Sequence, residues 1–391
     1  MNIQSLGCPI CSAAGPAPLD SRSHVPIAQN LMYRSREAAV NCPQGRLEMV
    51  RCMRCGFAWN ATFEPTLLTY DADYENDQSL SPAFDRHLAE VAEAISGQLD
   101  PNERLSVVEV GCGQGYFLHR LADAFGSRLE KLVGFDPAFR QGSPMPPQAR
   151  VVDELFNKAT CRKAELVPDL IVTRHVIEHV PDPLAFLGAI RDVSRAGTVI
   201  AVETPNLQWI LDGAVAHDFY YEHCSLFDPE SLQFAMETSG FEEIEVSDRL
   251  GGQYMLALGR AGEPRRRPCR TSPPDNADYA LRRAGYVDHW RRAFAEDRRD
   301  GEKVALWGGA SKGVTLALLV GDSAADLSAA IDINPARDGS FMPVSGVPVV
   351  LPEKARRERI TKAYVVNPAY CDEVEQYCRD RDWHLKLAVV D

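Results

Sequence analysis

No stretch of about 18 apolar residues occurs in this 391-residue sequence, so nothing in it reads as a helix spanning a bilayer. The opening MNIQSLGCPICSAAG has neither the basic stretch nor the apolar run of a secretory leader, which makes the cytoplasm the expected compartment. A basic excess is missing too: 42 Lys and Arg face 55 Asp and Glu, a net charge of −13. Polyanion binders carry a basic face, so a nucleic-acid polymer is a poor partner and a small molecule the better one. The eleven cysteines are thinly spread and no leader accompanies them. That usage points to reduced thiols and one metal site, not a disulfide framework.

A chain of this length exceeds one ordinary core, and three blocks separate along it. Residues 1–70 hold two cysteine pairs among turn residues. Residues 71–262 alternate strand-like apolar runs with amphipathic stretches, the pattern of βαβ units around a parallel sheet. RAGEPRRRPCRTSPPDN (260–276) reads as an exposed linker, and 263–391 resumes the alternation after a helical stretch from Tyr279 to about Arg299. VVEVGCGQGYF and VALWGGASKGV both run from an apolar strand through a Gly-rich turn into a helix. Asp136 and Asp332 stand at the end of the strand that follows each turn. The expected fold class is α/β, with two Rossmann-like sheets and a small N-terminal metal-binding domain.

Cys8-Pro-Ile-Cys11 and Cys52-Met-Arg-Cys55 each lead into a small residue suited to a tight turn. Four thiolates from two such knuckles make a tetrahedral site that Zn²⁺ fills. With every position taken by protein, this zinc is structural. A redox dithiol or four buried free thiols are the alternatives.

Glu109-Val-Gly111-Cys-Gly113-Gln-Gly115 follows the strand LSVVEV. Its glycines run GxGxG, not GxGxxG, and an acidic residue stands two positions before the first. A pyrophosphate disfavours a carboxylate near its helix N-terminus, whereas a sulfonium cofactor with an α-amino group favours one. S-adenosylmethionine (SAM) is therefore the expected cofactor, in a class I methyltransferase domain. Asp136 in GFDP suits the ribose hydroxyls and Asp153 the adenine amine. His175-Val-Ile-Glu178-His179 also matches the HxxEH peptidase pattern, but Pro181 and Pro183 break the long helix which that pattern needs.

Asp228-Pro229 reads as an N-cap and first helical residue, so the preceding HDFYYEHCSLF is a loop at the carboxyl ends of the strands. Its Tyr, Glu and His residues are costly to bury without a purpose. An acid–base centre is one reading; an interface loop of hydrogen-bonded aromatics is the other. In the last block, backbone amides and Lys312 at a helix start suit a diphosphate, or form only a structural turn.

The order CPxC…CxxC, EVGCGQG, aromatic-x-E-H-x-S-x-F, and a closing GxxxKG with IDINPARDGSFMPVSGVPV resembles the sugar C-methyltransferases over nearly the whole chain. That resemblance implies methyl transfer to C3 of a nucleotide-activated 4-keto-deoxysugar. It implies active-site roles for Tyr220, Glu222, His223 and His179, and a substrate loop at Tyr74-Glu-Asn-Asp-Gln-Ser-Leu-Ser. The expected mechanism has His223 as base oriented by Glu222, Tyr220 donating or relaying a proton at the enolate oxygen, and His179 on the keto edge. Other expectations are an O-, N- or C-methyltransferase acting on another metabolite in natural-product biosynthesis, or an inert binding module. A monomer or homodimer suits either enzyme.

Overall fold

The computed structural model describes residues 3–31, 33–68, 78–140, 142–264, 274, 276 and 278–390. Its N-terminal region pairs β1 (Ala17–Pro26), β2 (Gln44–Arg51) and β3 (Ala58–Asn60) in antiparallel order. The two cysteine knuckles precede β1 and join β2 to β3. Phe57 and Trp59 stack nearby at 5.9 Å and belong to the same core as Cys8, Cys52 and Cys55.

The central sheet contains β4 (Leu105–Val110), β5 (Leu129–Phe135), β6 (Ala149–Val152), β7 (Leu170–Arg174) and β8 (Val199–Pro205). After a long loop come β9 (Ser225–Leu226), β10 (Phe241–Arg249) and β11 (Tyr254–Ala261). Seven of these form one sheet, in the order β10-β11-β8-β7-β4-β5-β6, with β10–β11 and β11–β8 antiparallel and the other pairs parallel. Its inner strands, such as LSVVEV, are nearly continuously apolar because both faces are covered. The helices begin on legible caps: Ser81 and Asp182 each accept a first-turn amide, and Asp228 forms a capping box with Ser231 ahead of Pro229–Thr238.

Strand β9 leaves this sheet and pairs with β3, so residues 225–226 complete the N-terminal sheet as its fourth strand. Buried Arg51 reinforces the seam with an ion pair to Asp228 at 2.6 Å. The first two blocks of the sequence therefore share a sheet across the boundary near residue 70.

Beyond the helix Tyr279–Arg299, a second sheet contains β12 (Val304–Trp307), β13 (Leu327–Ile331), β14 (Val349–Val350), β15 (Lys362–Val365) and β16 (Lys386–Val389). Its order is β14-β13-β12-β15-β16 and every pair is parallel. Each sheet reverses its winding beside the strand that leads into a Gly-rich turn, where crevices open at carboxyl ends.

Candidate active site between the two parallel sheets

The carboxyl ends of both sheets face one cavity of about 290 Å³. His175, Glu178, His179, Tyr220, His223 and Tyr254 line it from the central domain, and Gly308, Lys312, Asp332 and Arg337 from the C-terminal one. Hydrogen bonds tie the two sides together: Gln253 donates to Asn367 at 2.6 Å, and Ser81 to Glu373 at 2.7 Å.

At the end of β4, Glu109 is 2% exposed and its Oε2 has no hydrogen-bond partner. Burial pushes its carboxyl up to about 8, despite the nearby Arg174 and helped by Asp136. A buried carboxylate without a partner suits a cationic ligand group. Gly113 has φ +53° with no atom within 4 Å of where a Cβ would stand, so the turn has open space on that side. Gly111 and Gly115 are packed instead: a Cβ there would meet Val176 at 2.2 Å and Met145 at 2.3 Å. Asp136 accepts the Gly113 and Ala138 amides, each at 2.8 Å, and both oxygens retain a second lone pair. Asp153 is exposed just beyond β6, whose last residue pairs with the last of β5. These residues fit the methionine, ribose and adenine ends of SAM.

The chemistry-bearing loop lines the cavity through Asp218, Tyr220 and His223. His223 packs edge-on against His179 at 4.8 Å and Tyr220 at 4.7 Å between ring centroids. Glu178, His179 and His223 each bring one polar side-chain atom within 4.8 Å of the others. Burial holds His223 down to about 3, against the pull of the Glu178 and Asp218 carboxylates, so it is a neutral imidazole near neutral pH. Glu178 is fully buried and accepts Thr204 at 3.1 Å; it also pairs with His175 at 3.2 Å. Burial opposes its ionisation, yet the His175 hydrogen bond and the neighbouring imidazoles hold it down to about 2. His175 sits at φ +52°, strain of about 1 kcal/mol or more, and its amide donates to the Glu203 carbonyl.

Glu222 ties the loop to the N-terminal region: its Oε1 accepts the Gln29 amide at 2.9 Å. The carboxylates that act on His223 are Glu178 and Asp218. Tyr220 is buried and lines the cavity, and its hydroxyl donates to Asp218 at 2.6 Å. Lys312 lines the cavity but its ammonium also donates to both oxygens of Asp218. Tyr74 lies outside the described residues.

The four cysteine sulfurs converge: Cys8 and Cys55 are 3.6 Å apart, and Cys11 and Cys52 3.5 Å. A tetrahedron with Zn–S bonds of about 2.3 Å has edges of about 3.8 Å, so the cluster fits zinc. The knuckle amides of Arg54 and Cys55 point at the Cys52 sulfur.

Two family models match the chain: a methyltransferase domain over residues 83–246 and a C-methyltransferase C-terminal domain over 277–388. The chain is a SAM-dependent methyltransferase. The methyltransferase is 23% identical over 377 residues to the C-methyltransferase NovU of Streptomyces niveus, covering 89% of this chain and 86% of that protein. It is 26% identical over 187 residues to a ubiquinone biosynthesis O-methyltransferase of Dinoroseobacter shibae, covering 40% of this chain and 70% of that one. Among solved structures it is similar to human N-acetylserotonin methyltransferase in complex with SAM, with a TM-score of 0.37 and 17% identity, over 46% of this chain and 55% of that one.

The methyltransferase brings His179, Tyr220 and His223 together, and it groups Glu109, the three glycines and Asp136 at the end of β4 and β5. Sequence reasoning passed over Asp218, Glu178 and His175 as site residues. Glu178 and His175 stand inside HVIEH, whose spacing matches a peptidase pattern but here places both at the turn after β7. Asp218 had no local signal, because its cation comes from the other domain.

Proposed function

We propose that the enzyme methylates a carbon beside the keto group of a nucleotide-linked deoxysugar, through an enolate. The observation that carries this reading is the shared cavity: a neutral, half-buried His223 beside His179 on one side, and a Gly-rich turn with Lys312 and Arg337 on the other. The match of residues 277–388 to a C-methyltransferase C-terminal domain supports carbon as the acceptor, as does the similarity to NovU, whose name states C-methylation.

SAM bound over Gly111–Gly115 supplies the electrophilic methyl. Glu109 holds its α-amino group, Asp136 the ribose hydroxyls, and Asp153 the adenine edge. His223 removes the proton from the carbon next to the carbonyl, worth about 10²–10⁴-fold for a positioned base. Glu178 and Asp218 offset the charge that His223 then carries. His179 faces the oxygen edge. Amides of the turn after β12, with Arg337, take the nucleotide's diphosphate, and Tyr74 contacts the substrate. Glu222 serves by anchoring the loop to Gln29. Incubating the enzyme with ¹³C-methyl SAM and a nucleoside-diphosphate 4-keto-deoxyhexose tests the reading: the product's methyl carbon is expected among C–CH₃ resonances. A methoxy resonance instead selects an oxygen acceptor, the second reading, which the similarity to the ubiquinone enzyme favours.

Zinc at Cys8, Cys11, Cys52 and Cys55 completes the proposal. Its binding contributes about 10 kcal/mol or more to folding a small subdomain. Cys52→Ala is expected to release it; zinc still bound at one equivalent in that variant sinks the assignment.

A further inference from the structure

The loop that carries Tyr220 is held by all three regions of the chain. Arg22, near the N-terminus, donates to the Ala216 and Phe219 carbonyls at 2.5 and 3.2 Å. Tyr286, from the helix before β12, pairs with His217 at 2.6 Å. The third tie is different in kind, because it enters the cavity. Lys312, in the first turn of the helix Ser311–Val320, donates to both carboxylate oxygens of Asp218, and the same Oδ1 accepts the Tyr220 hydroxyl. Asp218 is 8% exposed, so its charge is costly unless compensated, and Lys312 is the compensating cation. The Lys312 ammonium also stands 5.2 Å from the Trp209 ring, which limits where it can move.

These contacts constrain what Tyr220 can do. A phenol has one proton, and here it points at Asp218. The Tyr220 oxygen therefore meets anything in the cavity only as an acceptor, at 4.7 Å ring-to-ring from His223. Without Lys312, a buried and unpaired Asp218 would take up a proton and become a competing donor; without Asp218, the Tyr220 hydroxyl could swing toward the substrate carbonyl or His223.

We infer that Asp218 and Lys312 form one positioning unit that fixes Tyr220 as an acceptor beside His223, so that the C-terminal domain takes part in the chemical step. This rests on the acid–base reading above. On it, Lys312 acts on turnover through Asp218 more than on substrate affinity through a phosphate.

The test uses full-length enzyme with a nucleoside-diphosphate 4-keto-deoxyhexose, measuring kcat and KM separately and SAM affinity by calorimetry. Asp218→Asn and Lys312→Met are each expected to lower kcat about tenfold or more, with KM and SAM affinity within about twofold. The D218N/K312M double variant is expected to be no slower than the slower single variant, and D218N is expected to add nothing to Tyr220→Phe, since residues acting as a unit are non-additive. Lys312→Arg, which keeps the charge, is expected to recover kcat to within about threefold of wild type. A KM rise in K312M with kcat retained, additive with D218N, overturns the proposal and makes Lys312 a substrate ligand. Equal losses in K312R and K312M that follow their thermal stability overturn it in favour of a structural tie. The underlying reading fails separately: wild type inactive on the keto sugar, or His223→Ala active at the wild-type rate, removes the acid–base centre itself.

Discussion

The two Gly-rich turns of this chain are built alike and are suited to opposite charges. In each, an aspartate at the end of the following strand accepts one amide of the turn and one amide two residues onward. Asp136 takes Gly113 and Ala138, both at 2.8 Å; Asp332 takes Gly309 at 3.2 Å and Asn334 at 2.9 Å. In the second turn the glycines are demanded by packing, since a Cβ on Gly313 would stand 2.1 Å from the Gly308 carbonyl oxygen. The difference lies two positions before the first glycine. The central turn has Glu109, buried with an unpartnered oxygen; the C-terminal turn has fully buried, apolar Leu306. Beyond the turns, Arg337 approaches Asp332 at 3.7 Å, and both line the cavity with Lys312. On the proposed reading, one turn takes a cation at a single carboxylate, and the other, which lacks that carboxylate, takes an anion.

The largest expected effect separates chemistry from binding. His223→Ala removes the base from the central half and is expected to cost about 10²–10⁴-fold in kcat, with SAM affinity by calorimetry unchanged. Near wild-type turnover would return both halves to pure binding. Next, Glu109→Leu makes the central turn resemble the C-terminal one. Hydrogen bonds to charged groups are worth about 1.5–3 kcal/mol, so SAM affinity is expected to fall about 10–100-fold. Unchanged affinity in that variant would erase the distinction drawn between the turns.

A pH effect sharpens the same contrast. Burial holds the Glu109 carboxyl up to about 8, from an ordinary 4.5. Between those values the SAM-free fold keeps a proton that the unfolded chain has lost, so this group makes the free enzyme less stable as pH rises across that window. Binding a cation ionises Glu109. SAM uptake below pH 8 is therefore expected to release a proton, seen as buffer-dependent calorimetric heat, with affinity climbing up to about tenfold per pH unit before levelling. Glu109→Gln should abolish both. The smallest effect belongs to the other turn: Arg337→Gln is expected to raise KM for a nucleotide sugar about tenfold or less while SAM affinity holds. A change in SAM affinity alone would mean that the anion side was misassigned.

Much of the scaffold was legible because its signals are local. The strand-turn-helix runs at VVEVGCGQGYF and VALWGGASKGV, the Asp228-Pro229 cap and the helix from Tyr279 all depend on contacts within a few residues. The pairs CPIC and CMRC announced a converging site, because two knuckles of that spacing each aim their sulfurs inward. The loop 217–223 was recognisable as costly to bury, but not which of its side chains would turn toward the cavity. Glu222, the residue the family pattern singles out, binds an amide 193 positions away, whereas Asp218 finds its cation 94 positions away. Neither distance leaves a mark in the sequence.

What the sequence by itself determined, then, is a set of short-range outcomes: two parallel sheets, two glycine turns, four converging thiols, and a buried carboxylate at the strand end before the first turn. Those follow from backbone geometry and from side chains that satisfy their own neighbourhood. Only the tertiary structure decided that β9 would complete the N-terminal sheet, that both sheets would open on one cavity, and that Tyr220 would commit its hydroxyl hydrogen bond to an aspartate held by a lysine from the other domain. Buried charges must be paired wherever the chain happens to bring a partner, and that pairing is a property of the assembled fold.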